Sequence, residues 1–328
     1  MTNKRLTIKD FAAQLGVSTA TVSRAFSTRG RISDTTREMI IAKAAELGYH
    51  PNIHASNLSR RGSSTIALFY PAISNNEPDY FITELLLGIN ETLYHTGKML
   101  QIHPFYNGSN MAFFRDYILS GVFSGIIIVA GTNGSKELLS LAKTANLPYI
   151  VIGHMSTESS RTVVFDNEGG AYQAGKYLRQ IGREYPVYVS GHLDRRKKKG
   201  LCSGLGALAE KLVVFDGGYS LADGKRALRN ILQQQPQTDA ILCANDVLAL
   251  GMLKAAHEAD IKIPEQLSII GFDNIRISGY SHPALSTVSL NLFRTGEIAV
   301  KQLMKLIDGT KQLHPVKIES ELIIRESA

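Results

Sequence analysis

Two cysteines in 328 residues, Cys202 and Cys243, give neither a disulfide framework nor the paired spacing of a metal site. Both read as small buried thiols. No apolar stretch reaches the roughly 18 residues that a membrane helix needs, and GIIIVAG has the length of a buried strand. The start, MTNKRLTIKD, puts no apolar run behind its positive charges, so no secretory signal is expected and the cytoplasm is the natural compartment. Phosphate-binding loops are lacking too. GGAYQAGKY holds the spacing G-x-x-x-x-G-K from Gly170 to Lys176, but Tyr177 stands where such a loop needs Ser or Thr for magnesium. GLCSGLG, with glycines at 200, 204 and 206, lacks the dinucleotide spacing. His103, His154 and His192 have no ligand partners at a recognisable spacing, and no nucleophile–base pair emerges. The expectation is a protein that is not an enzyme and needs no cofactor or metal.

What is present is the composition of a globular protein, 44% apolar and 20% charged, with length for two or three domains. The net charge of +7 is unevenly spread: residues 1–62 hold ten Lys/Arg and four acids, and the rest holds 26 and 25. A small basic head on a near-neutral body is the electrostatic footprint of a polyanion binder. The head is also periodic. Ile8, Phe11, Ala12 and Leu15 lie at i, i+3, i+4, i+7, one face of a helix. Thr7 with Asp10 forms a capping-box start, and Gly16 is the stop. Ser18 opens a second helix with Val22, Ala25 and Phe26 inside. Ser33 opens a third, through Arg37, Ile40, Ala44 and Leu47 to Gly48. This is a helix-turn-helix plan.

The second helix must enter a major groove about 12 Å wide, which small side chains permit. Thr19, Ala20 and Arg24 project outward, and Arg24 suits a bidentate pair with guanine. Thr7, Ser18, Thr21, Ser23, Ser33 and Thr36 are the expected phosphate contacts, because helix N-termini attract anions.

The segment LTIKDFAAQLGVSTATVSRAFSTRGRISDTTREMIIAKAAELGYHPN carries, in order, I-x-D-x-A, A-x-x-x-G-V-S-x-x-T-V-S-R, I-S-x-x-T-R and L-G-Y-x-P-N. It resembles the DNA-binding head of the lactose/galactose-repressor family (LacI/GalR type), whose pattern also fits most of the remainder of the chain. The resemblance implies that PNIHASNLSRRGSS is a hinge that orders on DNA and pairs with its twin. Leu58 is then the minor-groove wedge, flanked by Asn52 and Ala55.

From Thr65 the pattern alternates. TIALFY, KMLQIHPF, SGIIIVAG, PYIVIG, RTVVFDN, YPVYVSG, DAILCAN and LSIIGFDN read as strands, with helical segments between them. The series is too long for one sheet. The expected fold is α/β: a three-helix helix-turn-helix head and two doubly wound parallel-sheet lobes, which the resemblance makes periplasmic-binding-protein-like. It also implies crossovers near Val163, Leu290 and Ile318. The expected domains are 1–50 (head), 51–63 (hinge and linker), 64–163 with 291–318 (first lobe) and 164–290 with 319–328 (second lobe).

Ligands in such sheets gather beyond the C-terminal strand ends. Asn245 with Asp246 follows AILCA, and Asp273 with Asn274 follows LSIIGF. A carboxylate and an amide suit vicinal hydroxyls. Asn245 and Asp273 match the family's effector positions, leaving Asp246 and Asn274 as caps or structural bonds. The resemblance also assigns Tyr219 as an aromatic platform and Tyr80 and Phe81 to the opposite lobe. Within DRRKKKG it places Lys197 where the family has an arginine; two or three of these cations facing the cleft would suit an anionic ligand.

The reading is a ligand-responsive transcription regulator, a repressor of a carbohydrate operon. Its partners are double-stranded operator DNA, a sugar or sugar-phosphate effector and a second copy of itself, as dimer or tetramer, with no membrane partner. The competing reading is a solute-binding protein of the same two lobes with no transcriptional role.

Overall fold

The structure, a computed structural model, describes residues 6–26, 32–49, 63–72, 78–106, 111–155, 158, 160–191 and 195–328. Residues 1–64 and 65–328 form two compact units. The expected hinge residues Asn52, Ala55 and Leu58 lie outside the described residues.

In the head, α1 (Ile8–Leu15), α2 (Thr19–Ala25) and α3 (Asp34–Leu47) start on Thr7, Ser18 and Ser33, whose hydroxyls accept from the N–H of Asp10, Thr21 and Thr36. Gly16 and Gly48 end α1 and α3 in the left-handed conformation. Phe11, Ala12, Val22, Ala25, Ile40 and Ala44 form the core, closed by Tyr49 stacked 4.2 Å from Phe11. Two expected core residues differ: Ile8 and Leu47 are exposed. Tyr49, past the left-handed turn at Gly48, is buried in the core where Leu47 is not.

The body has two six-stranded sheets. In the first, the order is β11 (Val316–Ile318), β5 (Thr162–Phe165), β4 (Tyr149–Ile152), β3 (Gly125–Val129), β1 (Thr65–Pro71) and β2 (Met99–Phe105), all parallel. In the second it is β12 (Glu321–Ile323), β10 (Ser286–Ser289), β9 (Ser268–Asp273), β8 (Ala240–Cys243), β6 (Pro186–Ser190) and β7 (Val213–Asp216), parallel except for β12. The chain therefore passes between lobes after β5, after β10 and after β11. The first passage follows Phe165 rather than Val163, because all four residues of β5 belong to the first sheet.

Helices cover both faces of each sheet. In the first lobe, α4 (Tyr80–Tyr94) buries Ile82, Leu85, Ile89 and Leu93 at helical spacing. It crosses α11 (Leu292–Ile307) at Gly88, where a Cβ would fall 1.8 Å from the Phe293 carbonyl oxygen. α5 (Met111–Leu119) and α6 (Asn133–Thr144) cover the other face. In the second lobe, α9 (Leu221–Gln234) and α10 (Asp246–Glu258) cover one face, and α7 (Asn167–Gln180) and α8 (Arg195–Leu205) the other. Among the described residues no helix is long and apolar enough to cross a membrane.

The α7–α8 crossing explains three of the five glycines in the patterns that imitate phosphate loops. A Cβ at Gly175 would lie 2.6 Å from the Leu201 carbonyl oxygen, one at Gly200 2.0 Å from that of Glu168, and one at Gly204 2.2 Å from that of Tyr172. These glycines let two helix backbones touch. Gly204→Ala must push the helices apart, an overpacking cost of roughly 1–3 kcal/mol. The body's melting temperature is expected to fall by several degrees; a thermal scan matching the parent would contradict this packing role.

Candidate effector cleft and DNA-facing helix

On the head, Val22 and Ala25 turn α2 inward and leave Ser18, Thr19, Ala20, Ser23 and Arg24 exposed. Arg24 makes no ion pair or hydrogen bond among the described residues. The Thr21 hydroxyl lies 2.8 Å from that of Ser18, and the Thr36 hydroxyl 2.6 Å from that of Ser33. Thr7 donates to Asp10 Oδ2 at 2.6 Å. The cap hydroxyls are thus held in place, each with acceptor capacity left for the backbone and the groove.

In the body, five of the six residues singled out in the sequence line one cavity between the lobes: Tyr80 and Phe81 from α4, and Tyr219, Asn245 and Asp273 from the second lobe. Asp79, which the sequence reading passed over, joins them. Its carboxylate caps α4 by accepting from Ile82 N at 3.1 Å, and burial raises its pKa. An aspartate just before a helical apolar series is a legible cap signal, and it points to this position. Phe81 stacks edge-on against Phe165, with centroids 5.9 Å apart.

Asp273 ends the fully buried strand β9 and is only 8% exposed. Its φ is 112° and that of Asn274 is 57°, two successive left-handed residues. Such backbone costs roughly 1–3 kcal/mol and persists only where the surroundings fix it. Here Arg325 Nη2 donates to Asn274 Oδ1 at 2.7 Å, and Arg325 Nη1 donates to the Leu285 carbonyl at 2.6 Å. Asn274 N in turn donates to Thr287 Oγ1 at 3.3 Å. Asn274 is therefore a structural residue, tied from the C-terminal tail. The Asp273 carboxylate accepts no hydrogen bond from the described residues. Burial, opposed by the nearby Lys197 and reinforced by Asp246 and Asp79, raises its pKa.

Asn245 lines the cavity and is also the cap, while Asp246 takes the structural bonds, one of the two roles the sequence left open for it. Asn245 caps α10, accepting from Leu248 N at 2.8 Å, and its amide donates to the Tyr219 carbonyl at 3.2 Å. One N–H and one lone pair remain. Asp246 is no cap. Fully buried, it accepts from Thr287 Oγ1 and, at 2.8 Å, from Ile275 N. Burial pushes its carboxyl up to about 7 from 3.8. The folded protein then holds a proton that the unfolded chain releases at lower pH. This stabilisation is complete below about pH 3.8 and declines as pH rises through about 7. Asp246→Asn, shaped like the protonated acid, is expected to flatten the decline of melting temperature over that range. An unchanged slope would contradict a buried neutral Asp246.

Of the five cations Arg195 to Lys199, Lys197 alone is buried. Its Nζ donates to the Ala244 carbonyl at 2.7 Å and sits 3.8 Å over the Phe272 ring, behind the cavity wall. Arg195, Lys198 and Lys199 are exposed, and Lys199 pairs with Glu168 at 2.8 Å. The cleft edge is crossed by Arg276 of the second lobe, whose N and Nε each lie 3.2 Å from the carboxylate of Glu84 on α4.

A helix-turn-helix unit with an unpaired arginine on its second helix, followed by two parallel-sheet lobes around a polar and aromatic cavity, defines the class of ligand-binding DNA regulators. Residues 7–52 match the family described as bacterial regulatory proteins, lacI family, and residues 177–328 match the periplasmic binding protein-like domain. The HTH-type transcriptional repressor PurR of Erwinia tasmaniensis is 29% identical over 98% of this chain and 96% of its own. A lac repressor dimer bound to operator shares the fold, at 21% identity and a TM-score of 0.82, over 99% of both chains. A CelR–cellobiose complex does so at 24% and 0.72, over 99% of this chain and 100% of its own. In its head and its body alike, the chain is similar to regulators of the lacI family.

Proposed function

We propose that the protein is a transcriptional repressor whose operator affinity is set by a carbohydrate bound between the lobes. The observation that carries this reading is the buried Asp273 carboxylate, which accepts no hydrogen bond among the described residues and faces an aromatic-lined cavity, on the same chain as the exposed face of α2. Asp273 accepts ligand hydroxyls, Tyr219, Tyr80 and Phe81 offer apolar ring faces, and the remaining amide capacity of Asn245 fixes orientation. The likeness to a cellobiose-bound regulator agrees with this chemistry. Regulation proceeds by binding alone, without an enzymatic step, in the cytoplasm, by a homodimer on a two-fold operator. The hinge residues Asn52, Ala55 and Leu58 contact the minor groove in this reading.

Two titrations test it. Thermal-shift measurement with sugars and sugar phosphates is expected to find a stabilising carbohydrate, since a ligand bound to the folded state raises its stability by mass action. Arg24→Ala is expected to weaken operator binding by about 1–3 kcal/mol and relax preference at one base position. Equal weakening on all sequences would make Arg24 a phosphate contact instead.

A further inference from the structure

The described walls of the inter-lobe cavity carry two carboxylates, Asp79 and Asp273, three aromatic rings, Tyr80, Phe81 and Tyr219, and no Lys, Arg or His. The charges come from both lobes: Asp79 precedes α4 of the first, and Asp273 ends β9 of the second. Lys197 is not part of the wall: held to the Ala244 carbonyl and the Phe272 ring, it acts on Asp273 from behind, one positive charge against the negative charges of Asp246 and Asp79. Asp273 is more than nine-tenths buried and accepts no hydrogen bond from the described residues. An anion entering this space meets two carboxylates at close range. A cation meets two carboxylates and ring faces that attract it through their quadrupoles.

We propose that the cavity takes a polyhydroxylated ligand bearing one protonated amine, an amino sugar by chemical class, with the ammonium between Asp273 and Asp79. This rests on the cavity being the effector site. The ammonium gives the unbonded carboxylate a charge-assisted partner in a low-dielectric space, where such bonds are strongest. It also offsets the mutual repulsion of Asp79 and Asp273. The hydroxyls take the remaining valences of Asn245, and a ring of Tyr80, Phe81 or Tyr219 covers the sugar face.

The experiment is isothermal titration calorimetry on the full chain with hexosamines, their parent hexoses, the N-acetylhexosamines, hexose 6-phosphates and hexuronates. The expected result is that one hexosamine binds at least about tenfold tighter than its parent and its N-acetyl form. Tenfold corresponds to about 1.4 kcal/mol. N-acetylation keeps the nitrogen and removes the charge. Asp273→Asn and Asp79→Asn are each expected to bring the ratio of amine to parent affinity close to one. Asn at 79 keeps the helix cap and Asn at 273 tolerates the left-handed backbone, so both variants retain the fold. A parent or N-acetyl sugar binding as tightly as the amine overturns the inference and leaves the carbohydrate reading standing. So does a phosphate or uronate binding most tightly, or a ratio that survives both substitutions. If no compound of any class binds, the carbohydrate reading falls, and this inference with it.

Discussion

A chain beginning at Ser63 is expected to fold, to bind the effector with undiminished affinity and to lose specific operator binding altogether. Residues 65–328 form a compact unit with its own cores in both lobes, and its strand β1 begins at Thr65. The charge distribution points the same way. The head carries ten Lys/Arg against four acids, whereas the rest is nearly balanced. Each phosphate neutralised on duplex DNA contributes about 0.9 to the slope of log affinity against log salt. Removing the head is therefore expected to abolish the salt-dependent, sequence-independent term together with the base contacts of α2. Fluorescence anisotropy on operator and scrambled duplexes at two salt concentrations reads both. Specific binding retained by the shortened chain would contradict the placement of recognition on the head.

The second large effect is at the cleft. Asp273→Asn is expected to reduce effector affinity about 10- to 150-fold while leaving ligand-free operator binding nearly unchanged. Asp273 caps no helix; the element after it is a short 3-10 turn, Arg276–Tyr280, preceded by Ile275. The amide keeps the size of the side chain and accepts φ near that of the native residue, so folding is preserved. What it loses is the charge and one acceptor. A hydrogen bond to a charged group contributes roughly 1.5–3 kcal/mol, and each 1.4 kcal/mol is tenfold. The outcome is a repressor that holds DNA and no longer answers its ligand. An unaltered effector isotherm for the variant would remove Asp273 from the site.

Why the sequence discloses some of this and not the rest depends on how far apart the interacting residues lie. Ser18, Thr7 and Ser33 are legible as caps because a cap hydroxyl and the N–H that donates to it sit three residues apart. Asp273 and Asn245 are legible as strand-end residues because the buried runs before them are continuous. The role of Asn245 is not, because its tie to Tyr219 spans 26 positions. Nor is that of Arg325, which reaches 51 positions back to Asn274 and secures the backbone that aims Asp273. α8 hides behind its own composition. Its outer face is a run of cations, and its inner face is partly glycine, so apolar periodicity is weak where backbone-to-backbone contact replaces side-chain packing. β7, β10, β11 and β12 escape for a different reason. They are short, carry serine, lysine, glutamate or aspartate, and three of the four lie at sheet edges. Only pairing with a neighbour distinguishes them from loops.

The most direct test of the account joins its two halves in one titration. The full chain would be used to select duplexes from a randomised pool. Its affinity for the enriched sequence would then be measured with and without a saturating concentration of the sugar that binds the cavity. The account predicts enrichment of a two-fold-related sequence and a change in its affinity of about 5- to 150-fold on ligand binding, the usual range of coupling between two sites. Superimposable operator isotherms with and without bound ligand, or a pool that enriches no sequence, would contradict it.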